Sequence, residues 1–235
     1  MVGEYKHYNP EKFGNKPIRR TKVTVLPPAA ADSADSALVS NAAIISIAPG
    51  NVTASSQIGA PFDRQDDFIV DGSGLSGGQH TTAVQPNMWL STGNGFGGID
   101  PDPSVTFDLG AVYTITSFHV WNYNEAPPNL TGRGVNSVSV EFGTTLALGG
   151  TIAGITNFAQ ADGLNTYAGE NFSGFAPFNA QFIRFDINSN HGDGNTFYGL
   201  SEVQFDGVLV PEPSSLALLA LGGIGLLGRR RRATA

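Results

Sequence analysis

One compact group of residues in this chain has the chemistry of a binding site: Trp121-Asn-Tyr123-Asn124-Glu125, followed by Arg133. An aromatic face can stack on the C–H face of a sugar ring. Arg, Asn and Glu side chains can bridge neighbouring hydroxyls. Trp121, Tyr123, Asn124, Glu125 and Arg133 are therefore the candidate ligand-binding residues. A plainer reading stands beside this one, with Trp121 in the core and Arg133 paired to a nearby carboxylate. Trp89 reads as a core residue.

No catalytic constellation accompanies that group. The four histidines, His7, His80, His119 and His191, show no H-E-x-x-H and no pair at i, i+4. The chain has no cysteine, which excludes disulfides, thiolate metal sites and a cysteine nucleophile. Gly93 to Gly98 fits G-x-G-x-x-G, but Ile99-Asp-Pro-Asp-Pro103 follows where a dinucleotide site needs a helix. Gly74-Leu-Ser76-Gly-Gly78 fits G-x-S-x-G without the strand–turn–helix context of a nucleophile elbow. Asp186-Ile-Asn188-Ser-Asn190 begins like a calcium loop but has His191 at the glycine position and Phe197 at the glutamate position. The expectation is a protein that is not an enzyme.

The elements that must position these residues read as strands. Short apolar and β-branched runs lie at 51–56, 104–109, 113–123, 134–142, 181–187 and 200–205, several alternating with period two. In Ser201-Glu202-Val203-Gln204-Phe205, Val203 and Phe205 share one face and Glu202 and Gln204 the other. Loops rich in Gly, Pro and Asn separate the runs, notably at 71–87 and 92–103. There are 30 glycines, and charged residues make up 14% of the chain. No internal repeat or long amphipathic helix interrupts the pattern. The expectation is an all-β sandwich or jelly roll over residues 41–209, long enough for one core. Residues 1–40 read as a disordered linker, basic at first and then Pro- and Ala-rich. No apolar stretch there has the length of a signal-peptide core.

Net charge is −7, but between Val23 and Gly228 only Arg64, Arg133 and Arg184 oppose 18 acidic residues. A body this acidic repels phosphate backbones, so no nucleic-acid partner is expected. It suits an exported protein or one that binds a cation.

Six stretches in one order carry a resemblance: ASSQ (54–57), IVDGSGL (69–75), MWLS (88–91), VTFDLG (105–110), FIRFDI (182–187) and GLSEVQFDG (199–207). Together they resemble the discoidin-like, or coagulation-factor type C, domain of the galactose-binding-like jelly-roll class. Carbohydrate-binding modules share that fold. The resemblance implies ligand binding by loops at one end of the sandwich. It also implies a structural Ca²⁺ joining an early loop to the last strand. Carried onto this chain, Asp71 would give a side-chain oxygen, and Phe68 and Ser73 backbone carbonyls. Glu202 would give a carboxylate beside the Ser201 carbonyl. A threonine before the core tryptophan completes the set, Thr82 or its neighbour Thr81. All are hard oxygen donors, as Ca²⁺ requires. The loop between Asp71 and Trp89 is longer than in the pattern.

The C-terminus has three parts in order: Pro211-Glu212-Pro213, the uncharged run Leu216 to Gly228, and Arg229, Arg230, Arg231 and Arg232. As a helix the run would be roughly 20 Å long, short for a permanent span of ~20 residues. The arginines would stay on the cytoplasmic side, leaving the body outside. Residues 210–235 resemble the PEP-CTERM sorting tail of exported Gram-negative bacterial proteins. That resemblance implies processing by an exosortase, passage through a transient inner-membrane helix, and release to the cell surface or extracellular matrix. The combined expectation is a non-catalytic surface binding module for an extracellular polysaccharide or glycan. The alternative is a structural matrix or envelope protein without a small-molecule site.

Overall fold

A computed structural model describes residues 42–211. The N-terminal linker, Glu212, Pro213, the apolar run and Arg229 to Arg232 lie outside the described residues. No described helix is long and apolar enough to cross a membrane.

The chain forms eleven described strands: β1 (Ala43–Ile44), β2 (Val52–Ala54), β3 (Leu75–Ser76), β4 (Gln79–His80), β5 (Trp89–Leu90), β6 (Ser104–Asn122), β7 (Val138–Gly143), β8 (Gly150–Thr151), β9 (Glu170–Phe172), β10 (Phe178–Ile187) and β11 (Gly199–Leu209). Helical structure among the described residues is limited to 3₁₀ turns at Pro49–Asn51, Asp66–Ile69 and Thr131–Arg133. Two runs that read as separate strands are one, because β6 continues for 19 residues through Gly110. Gly110 has φ +78, a left-handed conformation that costs a glycine little. There the strand bends, and the partner strand β10 shifts register between Ala180 and Phe182.

That bend builds the sandwich. Before it, β6 pairs with β2 and with residues 182–186 of β10. After it, β6 pairs with β9 and β11. The hydrogen-bonded path β1-β11-β6-β10-β7-β8 is antiparallel throughout. It folds over on itself, since Phe107 before the bend meets Phe205 of β11 with ring centroids 5.2 Å apart. Phe118 after the bend meets Phe185 of β10 at 5.9 Å. Period-two alternation explains the burial: Val105, Phe107 and Leu109 are interior, with Thr106 and Asp108 partly exposed between them.

Phe107 also packs edge-on against Phe185 at 5.2 Å, so it touches both layers. Phe107→Ala should therefore cost about 3–5 kcal/mol through lost burial and the cavity left behind. Urea unfolding at fixed pH measures it; a loss below ~1 kcal/mol would contradict this packing.

One departure from simple alternation lies in β11. Leu200 pairs with Asn122 and Glu202 with the adjacent Trp121, so Ser201 is an extra residue, a β-bulge. Ser201 and Glu202 are both buried there. The Ser201 hydroxyl donates to the Asn122 carbonyl at 2.9 Å. Glu202 keeps the side of the strand opposite Val203, as alternation placed it, and is buried because the early loop covers that side, with the Gly72 amide reaching its carboxylate.

Candidate functional site

The residues after β6 divide into two groups. Trp121, Tyr123 and Asn124 are interior, with Trp121 4% exposed and the other two fully buried. Trp121 Nε1 donates to the Gly78 carbonyl at 3.1 Å, and its ring lies 4.0 Å from that of His119. Asn124 Nδ2 donates to the carbonyls of His80, Thr81 and Leu164 at 3.2, 3.3 and 2.9 Å, while its Oδ1 accepts from the Gly163 amide. These side chains hold loops together and offer no free face to a ligand. Trp89 is buried, as expected, with Nε1 donating to the Ser56 carbonyl at 3.0 Å.

Glu125 and Arg133 lie further out and form the centre of a charged cluster. The Tyr123 hydroxyl donates to Glu125 Oε2 at 2.6 Å, and Arg133 Nη1 donates to the same oxygen at 3.2 Å. Burial, reinforced by the Glu125 charge, pushes the Tyr123 hydroxyl well above its usual pKa, so it remains a donor. Arg64 Nη2 lies 3.9 Å from Glu125 Oε1, and Arg133 Nε lies 3.9 Å from Asp193 Oδ1. At that distance Arg133 Nε has no hydrogen bond, although it is buried. Two of the three body arginines, from loops far apart in sequence, therefore meet on one carboxylate.

Next to this cluster stands an aromatic platform. The Arg133 guanidinium lies 4.8 Å above the Phe197 ring. Phe96 lies 5.9 Å from Phe197, and Phe62 meets Phe96 edge-on at 5.2 Å. Phe62 and Phe96 are 44% and 43% exposed. They border a hollow of about 260 Å³ lined also by Gln57, Ile58, Pro61 and Thr92. The Gly-rich stretch that fits a dinucleotide fingerprint is the tight turn that presents Phe96. Gly93 and Phe96 exchange backbone hydrogen bonds of 3.2 and 2.9 Å, and the Asn94 amide donates to the Asn195 carbonyl at 2.8 Å. Phe62, Phe96, Arg64 and Asp193 escape sequence reasoning because they come from three different loops. The available signal was weak: Arg64 is one of only three basic residues in the body.

The candidate metal ligands are brought together in part. Asp71 and Glu202 line one cavity of about 240 Å³, with Val70, Gly72 and Ile45. Glu202 is 1% exposed and accepts from the Gly72 amide at 3.3 Å. Burial, with the Asp71 charge adding to it, raises its pKa to about 8. Asp67 is likewise raised, by desolvation and then by Asp66 and Asp71. Among the described residues no arginine pairs with Glu202 or Asp71. Two acidic groups converge here without a basic partner, and such a pair suits a hard cation.

Ser73, Thr81 and Thr82 among the other expected ligands are engaged elsewhere. The Asp71 side chain itself accepts from the Ser73 amide at 2.7 Å. Thr82 bonds Asn165 Oδ1 through both its amide and its hydroxyl, and the Thr81 hydroxyl reaches the same oxygen. The Ser73 carbonyl faces His80 Nε2 at 3.1 Å, and the Thr81 carbonyl faces His80 Nδ1 at 3.0 Å. His80 is fully buried, and burial lowers its pKa. Phe68 lies in the 3₁₀ turn Asp66–Ile69. No group of three or more His, Cys, Asp or Glu side chains suited to a metal occurs among the described residues. Any cation here would rest on Asp71, Glu202 and backbone oxygens.

Comparison with known proteins adds two findings. Residues 209–232 match the PEP-CTERM protein-sorting motif. The folded domain is similar to a fucolectin from striped bass, Morone saxatilis, with TM-score 0.50 and 15% identity, covering 73% of this chain and 51% of that one. A CBM32 domain from Clostridium perfringens, in complex with GalNAc-β-1,3-galactose, gives TM-score 0.48 at 15% identity and covers 69% and 99%. A truncated AlyQ with CBM32 and alginate lyase domains gives TM-score 0.44 at 22% identity and covers 74% and 35%, so this chain spans about a third of it. The likeness is one of fold, an all-β jelly-roll sandwich. A search of the curated proteins gives no match.

Proposed function

We propose that this chain is a non-catalytic, surface-exposed sugar-binding module, with its site on the loops that carry Phe62, Phe96, Arg64, Arg133, Glu125 and Asp193. The observation that carries this reading is the pair of exposed phenylalanines set edge-on beside a fixed charged cluster. Exposed aromatic rings that touch each other, rimmed by polar groups, are characteristic of a binding surface. The rings supply apolar area for a sugar's C–H face. Arg64 and Arg133 donate, and Glu125 and Asp193 accept, so vicinal hydroxyls find partners of both kinds. The cluster is held before any ligand arrives, which lowers the ordering cost of binding.

The same reading assigns the tail to delivery. Export, exosortase processing at the matched motif and transient inner-membrane anchoring would bring the domain to the cell surface or extracellular matrix. A Ca²⁺ held by Asp71, Glu202 and neighbouring carbonyls would stabilise the early loop against β11 and take no part in sugar recognition.

Phe62→Ala and Phe96→Ala test the site. With galactose, fucose and an alginate oligosaccharide as titrants, calorimetry should find at least one that binds the wild-type protein. Each substitution should weaken it about tenfold, the loss expected for a stacking partner worth ~1.4 kcal/mol. Both rings are exposed, so thermal unfolding should change little. If none of the three sugars and no glycan on an array binds, the reading fails. Binding that survives both substitutions moves the site elsewhere.

A further inference from the structure

At the far end of β11 from these loops is an apolar hollow of about 280 Å³. Its walls are Thr114 and Thr116 of β6, Pro177, and Val208 to Pro211 at the end of the described chain. Leu209 is 54% exposed. Pro177 also lines a second cavity of about 350 Å³, with Phe142, Phe175, Phe178 and Ile152, so apolar surface continues past it. The exit of the chain is fixed, since the Val210 amide donates to the Val112 carbonyl at 2.9 Å. The last described residue, Pro211, is therefore itself part of the wall.

Twenty-four residues come after Pro211, and the first four, Glu212 to Ser215, lead directly into the uncharged run Leu216 to Gly228. Four residues reach at most about 14 Å when extended, so the start of the run is confined near the hollow. Such a short tether gives the leucines an effective concentration in the millimolar range at this surface. An apolar run tethered beside an exposed apolar hollow lowers its free energy by burying against it.

We propose that the hollow bounded by Thr116, Pro177 and Leu209 is an intramolecular docking site for the chain's own apolar run, Leu216 to Gly228. Docking keeps the run out of water until a bilayer competes for it. The site is separate from the sugar-binding loops and does not rest on them.

The absence of native cysteine makes a direct test possible. The full chain carrying Thr116→Cys and Leu219→Cys, oxidised in detergent-free buffer, should form an intrachain disulfide seen as a mobility shift on a non-reducing gel. Ala43→Cys with Leu219→Cys is the control: Ala43 pairs with Gly207, near the chain exit but off the hollow. The first pair should cross-link at least about tenfold faster. Adding Leu209→Lys, which places a charge in the wall, should reduce it to the control rate. Should Thr116→Cys disturb folding, Val208→Cys replaces it in the same wall. Equal rates for the two pairs overturn the proposal. So does a disulfide-linked dimer as the main product, which would make a second copy the occupant.

Discussion

With a chelator present, the protein should lose stability as pH rises from 5.5 to 8.5, and Glu202→Gln should remove most of that loss. The cause is a single carboxyl. Unfolded, it has a pKa near 4.5; folded, burial and the Asp71 charge raise it to about 8. Between those values unfolding releases a proton, so stability is full below the lower pKa and declines as pH climbs through the upper one. A rise from 4.5 to about 8 corresponds to roughly 5 kcal/mol between the protonated and charged forms. Gln keeps the shape and the capacity to meet the Gly72 amide but cannot ionise. At pH 8.5 the variant should therefore melt several degrees above wild type. Calcium should reverse that order. It would stabilise the ionised wild-type carboxylate and leave the variant unmoved, because a ligand that binds only the folded state raises stability by mass action. Thermal unfolding at the two pH values, with chelator and with added Ca²⁺, reads all of this. A flat wild-type profile in chelator contradicts the burial of an unpaired carboxyl. An unchanged melting temperature on adding Ca²⁺ removes the metal from the account.

The same carboxyl marks the limit of what the chain discloses before it folds. Alternation over 104–109 and 200–205 is a local signal, and those runs became β6 and β11 with the expected residues inside. The burial of Glu202 escaped because the loop that covers its side of β11, at Gly72, lies 130 residues earlier in the chain, and no local period records such a contact. Short strands such as β5 and β9 were invisible for a related reason: two or three residues have no period, and their partners are far away in sequence. The candidate site was half legible. Glu125 and Arg133, eight residues apart in the chain, meet as an ion pair, the arrangement that the plainer reading of Arg133 expected. The aromatic expectation attached to Trp121 and Tyr123 gave way to burial, since large rings at a strand end find core before they find solvent. In the proposed site their place is taken by Phe62 and Phe96, which only the fold brings together.

Gly93 shows how tightly that aromatic arrangement is held, and Gly93→Ala should cost both stability and sugar binding. A β-carbon built at Gly93 would lie 2.4 Å from Phe197 Cδ1 and 2.5 Å from its Cε1. Phe197 cannot easily yield. It is buried in a cluster with Met88, Leu90 and Tyr123, and the Arg133 guanidinium lies over its ring. Either the ring turns away and disturbs Arg133, or the turn carrying Phe96 lifts off the Asp193–Phe197 segment. Overpacking of this kind costs about 1–3 kcal/mol. Both responses also separate the platform from the charged cluster. The variant should therefore bind sugar at least tenfold more weakly than wild type even at temperatures where it is fully folded. Phe96→Ala should lose binding with little loss of stability, because its ring is nearly half exposed. The two substitutions separate close packing from ligand contact: a Gly93→Ala protein that folds, melts below wild type and still binds normally would detach the platform from recognition.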